Sequence, residues 1–149
     1  ISIDGDWRKE TTDAIGAQLR DAGFNLKRTV IPGSTFWNDW TKYPFSTTNW
    51  GPRPLGVQVL GLAYRTGEAW NESGHSNPEF DALLEEAVGI FEADKRREIM
   101  AKLEAILQSS GAIVQPFWMR EYLHHHPKVQ GYERHQFREM HFEKTWIEA

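Results

Sequence analysis

The chain has 149 residues, 40% hydrophobic and 26% charged, with a formal net charge of −4. It is long enough for one domain with a real core and has the wrong sign for a nucleic-acid surface. No apolar run approaches the length of a membrane span, and the absence of cysteine excludes disulfides, thiolate zinc sites and cysteine nucleophiles.

Ile1-Ser2-Ile3 alternates like a strand, and Asp4-Gly5-Asp6 is a turn signal. Thr11 or Thr12 can cap a first helix, in which Ile15, Leu19 and Ala22 recur on one face before Gly23 stops it. Residues 24–31 are rich in β-branched and apolar side chains and predict a strand closed by Pro32-Gly33. The order strand–helix–strand fits a crossover unit in a mixed sheet. Ser34 can cap a short helix that places Phe36 and Trp40 on one face, and residues 45–50 predict a further strand ending at Trp50.

At Gly51-Pro52-Arg53-Pro54 the chain breaks sharply. Each proline fixes φ and pushes its predecessor away from the helical region, so Arg53 is held on a stiff, extended backbone beside the Trp50 ring. That suits a binding wall; a connection whose arginine is merely solvated fits the same residues. Pro54 suits the first turn of a helix with Leu55, Val59 and Leu62 at helical spacing, and residues 66–74 read as an irregular loop carrying Trp70-Asn71.

Ser76-Asn77-Pro78-Glu79 offers two caps: Ser76 with Glu79 as a capping box, or Asn77 with Pro78 at the first helical position. Phe80, Leu83, Leu84, Ala87, Ile90 and Phe91 then mark one apolar face. Asp94 is placed to cap a second helix with Ile99, Leu103, Ile106 and Leu107 on its stripe, a Glu98–Lys102 pair on its surface, and Gly111 as its stop. The two helices form an αα-hairpin or bent pair. Residues 112–118 predict a buried strand, demoted toward an edge by Pro116, and residues 142–147 a last strand. There is no internal repeat, low-complexity tract or flexible linker.

Several of these segments, in this order, resemble one family. Gly74-His75-Ser76-Asn77-Pro78-Glu79-Phe80-Asp81-Ala82-Leu83-Leu84-Glu85-Glu86-Ala87 is similar to a segment near the C-terminus of peptide/nickel-type (family 5) solute-binding proteins of ABC transporters. Leu19-Arg20-Asp21-Ala22-Gly23-Phe24-Asn25, the short Phe/Trp helix, Asp94-Lys95-Arg96-Arg97, Ala112-Ile113-Val114-Gln115-Pro116-Phe117 and Val129-Gln130-Gly131-Tyr132 are similar to its flanking features. The resemblance covers essentially the whole chain. Members of this family are much longer, close two lobes around a ligand in the periplasm or at the outer face of the cytoplasmic membrane, and hand it to an ABC permease. The resemblance therefore implies a single C-terminal lobe over residues 1–149, with residues 128–149 as the segment returning toward the other lobe. The start at Ile1, with neither Met nor a signal-like apolar segment, reads accordingly as a processed protein or an excised fragment.

The expected architecture is α/β, a mixed sheet of about five strands flanked by helices, with the helix pair 78–110 on the outside. In peptide-binding members of the family the strand-end tryptophan is followed three residues later by an aspartate that pairs with the ligand's amino terminus. Trp50 matches the tryptophan, but Arg53 stands at the aspartate position. A guanidinium pairs with carboxylate or phosphate, not with ammonium, so the expected ligand is small and bears a polar or anionic group. Pairing of Arg53 with a carboxylate of the other lobe is the alternative.

Trp70 can stack on a ligand and Asn71 can hydrogen-bond one, although Asn71 can equally tie down its own loop. Trp37, Trp40 and Tyr64 are further cleft candidates, while Phe36, Trp118 and Trp146 read as core. His124-His125-His126 invites a metal, but adjacent histidines on a strand alternate faces, and nothing in the sequence brings His135 or His141 to them. No metal, cofactor or catalytic residue is assigned: Asp4, Asp6 and Asp13 have local roles, and no triad order, phosphate loop or dinucleotide fingerprint is present. Besides ligand capture, a free-standing protein-interaction domain and a histidine-dependent metal-binding protein are the competing functions.

Overall fold

A computed structural model describes all residues, 1–149. The chain is helix-rich, and its strands are few and short. In order it forms β1 (Ser2–Ile3), α1 (Trp7–Asp21), β2 (Val30–Ile31), α2 (Gly33–Asp39), α3 (Gly56–Ala63), α4 (Pro78–Gly89), α5 (Ala93–Ser110), β3 (Val129–Gln130) and β4 (Trp146–Ile147). Short 3-10 turns cover Trp40–Lys42 and Phe142–Lys144.

The expected five-stranded sheet is replaced by two separate pairs: β1 with β2, parallel across α1, and β3 with β4, antiparallel. Of the segment 24–31 only its last two residues pair. Residues 45–50 lie beside the start of β1, where Thr47 N–H donates to the Ile1 carbonyl (3.0 Å) and the Ile1 nitrogen donates to the Phe45 carbonyl (2.8 Å), but no ladder follows. Residues 112–118 form no strand and are not core, for Val114 and Trp118 are exposed. A strand needs a neighbour for its N–H and C=O groups, and residues 112–118 make no backbone hydrogen bond to another segment, touching α1 only through the Phe117 and Trp7 rings. Trp146 is likewise exposed, whereas Phe36 is fully buried.

The helices start where the best cap lies. Asp6 accepts from Arg8 N–H (2.8 Å) and begins α1 ahead of Thr11 and Thr12. Thr12 instead turns its hydroxyl back to the Arg8 carbonyl. At α4 the second of the two capping arrangements is the one formed: Asn77 Oδ1 accepts from Glu79 N–H (2.9 Å) and Phe80 N–H (3.1 Å), with Pro78 at the first helical position. Glu92, not Asp94, precedes α5; Asp94 pairs with Arg97 in the first turn, and the Glu98–Lys102 pair is not formed. Arg96 donates to the Ile90 carbonyl (3.0 Å), which closes the short connection between α4 and α5. Gly111, at φ 67°, ends α5 in the left-handed region that glycine adopts without penalty.

A cluster of ten buried residues joins α3, α4 and α5: Val57, Leu60, Ala63 and Tyr64; Phe80, Leu84 and Ala87; Ile99, Leu103 and Leu107. On α3 the fully buried stripe is Val57, Leu60 and Ala63; of the expected Leu55, Val59 and Leu62, Leu55 precedes the helix and is exposed, while Val59 and Leu62 flank the stripe half-buried, Val59 against the cluster. On α4 the stripe ends at Ala87, with Ile90 half-buried and Phe91 94% exposed. Each fully buried Phe or Leu adds about 1.5–3 kcal/mol over its exposed state. A smaller layer holds Ser2, Ile3 and Phe36. His75 is buried beside the helical cluster; its Nδ1–H donates to the Tyr64 carbonyl (2.9 Å) and its ring meets Phe80 edge to face.

Gly131 has φ 71°, and a Cβ there would overlap the Lys144 carbonyl oxygen and the Trp146 ring. Gly131→Ala is therefore expected to open the β3–β4 pair, read as faster hydrogen exchange at Glu148 N–H, which donates to the Lys128 carbonyl (2.8 Å). Leu103→Ala is expected to cost about 2–5 kcal/mol in denaturant unfolding, whereas Phe91→Ala stays within about 0.5 kcal/mol.

Candidate functional site

Four tryptophans from three separate segments converge beside this core. Trp37 comes from α2, Trp40 from the 3-10 turn that follows it, Trp50 from the extended stretch before Gly51, and Trp70 from the loop after α3. Trp40 is the hub: its ring lies 6.1 Å from Trp37, 6.2 Å from Trp50 and 6.5 Å from Trp70, all near edge-to-face. Trp50 and Trp70 complete a triangle at 6.0 Å. Such offset contacts between aromatic faces and edges are favourable and hold the rings at fixed angles. The four indoles wall a cleft of about 350 Å³, whose remaining lining is Asn49, Gly51 and Arg53.

The polar groups of the cleft are donors. Arg53, set between Pro52 and Pro54, makes one intrachain bond, from Nη1 to the Pro52 carbonyl (3.2 Å), and forms no ion pair with a carboxylate of the chain. Asn49 Oδ1 accepts from Arg8 Nε (3.1 Å). Arginine can only donate, so the amide must present its oxygen to Arg8, and its Nδ2–H₂ is left without an intrachain partner. The Arg8 guanidinium also lies over the Trp37 ring, 5.7 Å from its centroid. A second guanidinium is close by: Gly51 sits against both Arg53 and Arg138.

Behind the wall is Glu72. Its Oε1 accepts from Trp50 Nε1–H (3.0 Å) and from the Thr48 hydroxyl (2.7 Å). Burial pushes the Glu72 carboxyl above its ordinary value of 4.5, and these two bonds oppose the rise. The indole of Trp50 is thus oriented by a partly desolvated acceptor as well as by its neighbours.

The structure brings Trp37, Trp40, Trp50, Trp70 and Arg53 to one cleft. Asn71 and Tyr64 lie outside it. Asn71 has all its polar capacity in its own loop: Nδ2 donates to the Arg65 carbonyl (3.0 Å) and the His75 carbonyl (2.7 Å), and Oδ1 accepts from the Ser73 hydroxyl (2.9 Å) and His75 N–H (3.2 Å). Tyr64 is a core residue whose phenol burial pushes up to about 12, with Glu72 adding to the shift. Asn49 and Glu72 went unnoticed in the sequence. For Asn49 the signal was its place directly before Trp50; for Glu72 there was none, because the bond spans 22 residues.

No protein-family model matches the chain, and no curated protein matches it in sequence. Among solved structures, the chain is similar to the oligopeptide-binding protein AppA from Bacillus subtilis, determined in complex with a nonapeptide. That match has a TM-score of 0.79 at 14% identity and covers 99% of this chain and 31% of AppA. It is also similar to the peptide-binding pheromone receptor PrgZ, with a TM-score of 0.76 at 22% identity, covering 100% of this chain and 30% of that one. The fold is therefore that of one part of these peptide-binding proteins, and the chain spans about a third of their length.

A carboxyl raised on folding stabilises the fold fully below its unfolded pKa and loses that contribution as pH rises through the folded value. For Glu72 the unfolding midpoint is accordingly expected to fall with rising pH over a window that opens near the ordinary carboxylate value of 4.5 and closes at the raised one. Glu72→Gln keeps an acceptor for Trp50 and should flatten that part of the curve, measured by thermal unfolding from about pH 4 to pH 8.

Proposed function

We propose that this chain is most of the C-terminal lobe of a family 5 solute-binding protein that captures a ligand for an ABC importer outside the cytoplasmic membrane. Residues 128–149 are the segment that returns toward the remainder of the protein. The ligand is a small solute, peptide-like or not, that carries a carboxylate, phosphate or other strong acceptor. No chemistry is performed on it and no cofactor is needed. The permease receives the loaded protein, and closure of two lobes over the solute is the switch, since a ligand touching both favours the closed state.

The observation that carries this reading is the composition of the cleft. Indole faces supply flat apolar area, and the free donors, Arg53 and the Asn49 amide, both ask for an acceptor. The flanking prolines fix the backbone that carries Arg53, and its guanidinium can offer a carboxylate two parallel bonds. The similarity to AppA and PrgZ supports a binding rather than a catalytic role. It also leaves the nature of the solute to these side chains.

A second role for Arg53 has an observation of its own. Its guanidinium has no carboxylate partner within the chain, so a carboxylate from the remainder of the polypeptide can take that place as a closure latch.

Calorimetry on the full-length protein separates the two. If Arg53 holds the solute, carboxylate-bearing ligands bind and Arg53→Ala weakens them by about 10–150-fold, the equivalent of one charge-assisted hydrogen bond of about 1.5–3 kcal/mol. Amidated analogues then bind weakly and are unaffected by the substitution. A latch instead makes Arg53→Ala weaken charged and amidated ligands alike. Tight binding of neutral dipeptides that survives Arg53→Ala would overturn the anionic-solute reading.

A further inference from the structure

A second cluster lies in the C-terminal quarter, where the sequence shows only scattered histidines. The segment His135-Gln136-Phe137-Arg138 is a tight turn: Arg138 N–H donates to the His135 carbonyl (3.0 Å), and Arg138 takes a left-handed backbone, φ 63°. That conformation is uncommon outside glycine, asparagine and aspartate and needs outside support. Glu121 supplies it by accepting from Arg138 Nε (2.9 Å) and from Arg134 on the same carboxylate. The reversal brings Glu139 back against His135, with 3.8 Å between Oε2 and Nδ1.

His141 closes the group from the other side, its Nε2 3.7 Å from the same Glu139 oxygen. One ligating atom from each of His135, Glu139 and His141 lies within 4.8 Å of the others. His141 is also aimed. Its Nδ1 lies 3.0 Å from Glu143 Oε1; a carboxylate oxygen accepts, so Nδ1 carries a proton and Nε2, on the Glu139 side, is the ring nitrogen left to bind a metal. This is the carboxylate–histidine relay that orients imidazoles toward metals. The remaining contact of His135 Nδ1 is a long one from Phe137 N–H, 3.4 Å, which a metal bond readily displaces.

We propose that His135, Glu139 and His141 bind one divalent first-row transition-metal ion of the zinc type, with Glu143 as the positioning residue for His141. Two imidazoles and a carboxylate suit such an ion, which bonds nitrogen and carboxylate oxygen at about 2.0–2.2 Å. Its donors then stand about 3.3 Å apart, so side-chain rotations tighten the two histidine–Glu139 spacings of 3.8 and 3.7 Å by about half an ångström and draw the two imidazole nitrogens, within 4.8 Å of each other, together by up to about 1.5 Å. Water completes the coordination on the exposed side. His124, His125 and His126 take no part: they are exposed, and their contacts are local.

The test is titration of the chelator-stripped full-length protein with Zn²⁺ alone, followed by calorimetry. One equivalent is expected to bind. The affinity should fall by more than about tenfold in Glu139→Gln and in His141→Ala, and by about 10–100-fold in Glu143→Gln. It should be unchanged when His124, His125 and His126 are all replaced by alanine. Far-UV circular dichroism and the metal-free melting temperature check that each variant is folded; Glu139→Gln, at an exposed and nearly isosteric position, decides if His141→Ala is not. Absence of stoichiometric binding overturns the proposal, as does binding that survives Glu139→Gln or that is lost with the His124–His126 run.

Discussion

Everything in the cleft depends on how Trp50 is held. It stands at the end of a stretch that makes only two backbone hydrogen bonds to its neighbour and has no sheet beneath it. Its ring is fixed from the side instead, by an indole N–H bonded to Glu72 and by two further indoles at 6.0 and 6.2 Å. The same ring packs against the α3–α4–α5 cluster. Trp50 therefore joins the small layer around Phe36 to the helical core, and the cleft opens along that seam.

Placing a partly buried carboxylate behind an indole wall is costly unless its lone pairs are used. Thr48 and Trp50 use one oxygen, which keeps that acceptor occupied. The opposite arrangement holds at the mouth. Arg53 has no carboxylate partner, and the Asn49 amide turns its free N–H₂ outward because Arg8 has claimed its oxygen. The charge balance of the site is thus set by pairs of residues far apart in sequence, with acceptors satisfied inside and donors left over at the rim.

The C-terminal quarter is organised by charge rather than by apolar burial. None of its residues is fully buried, and Glu121 gathers Arg134 and Arg138 while Glu139 and Glu143 gather the two histidines. Exposed ion pairs contribute little stability one at a time. Several that share residues within one turn can still fix a geometry, which is what a metal site of three side chains requires.

Local physics made much of this legible in the sequence. The Asn77-Pro78 cap, the α4–α5 pair with Leu84, Leu103 and Leu107 inside, and the stop at Gly111 follow from capping and periodicity, which are properties of neighbouring residues. So did the stiffness around Arg53, which two prolines impose wherever the chain goes. The sheet did not follow, because residues 45–50 and 112–118 have the composition of strands but pairing is decided by what lies alongside. Nor did the division of roles among the polar candidates. Asn71 and Arg53 look equally available in the sequence, and only the loop closing on itself consumes the first while proline geometry leaves the second free. The sequence by itself determined which residues are stiff, capped or apolar, and the tertiary structure alone decided which polar groups remain unsatisfied, because hydrogen-bond satisfaction depends on partners tens of residues away.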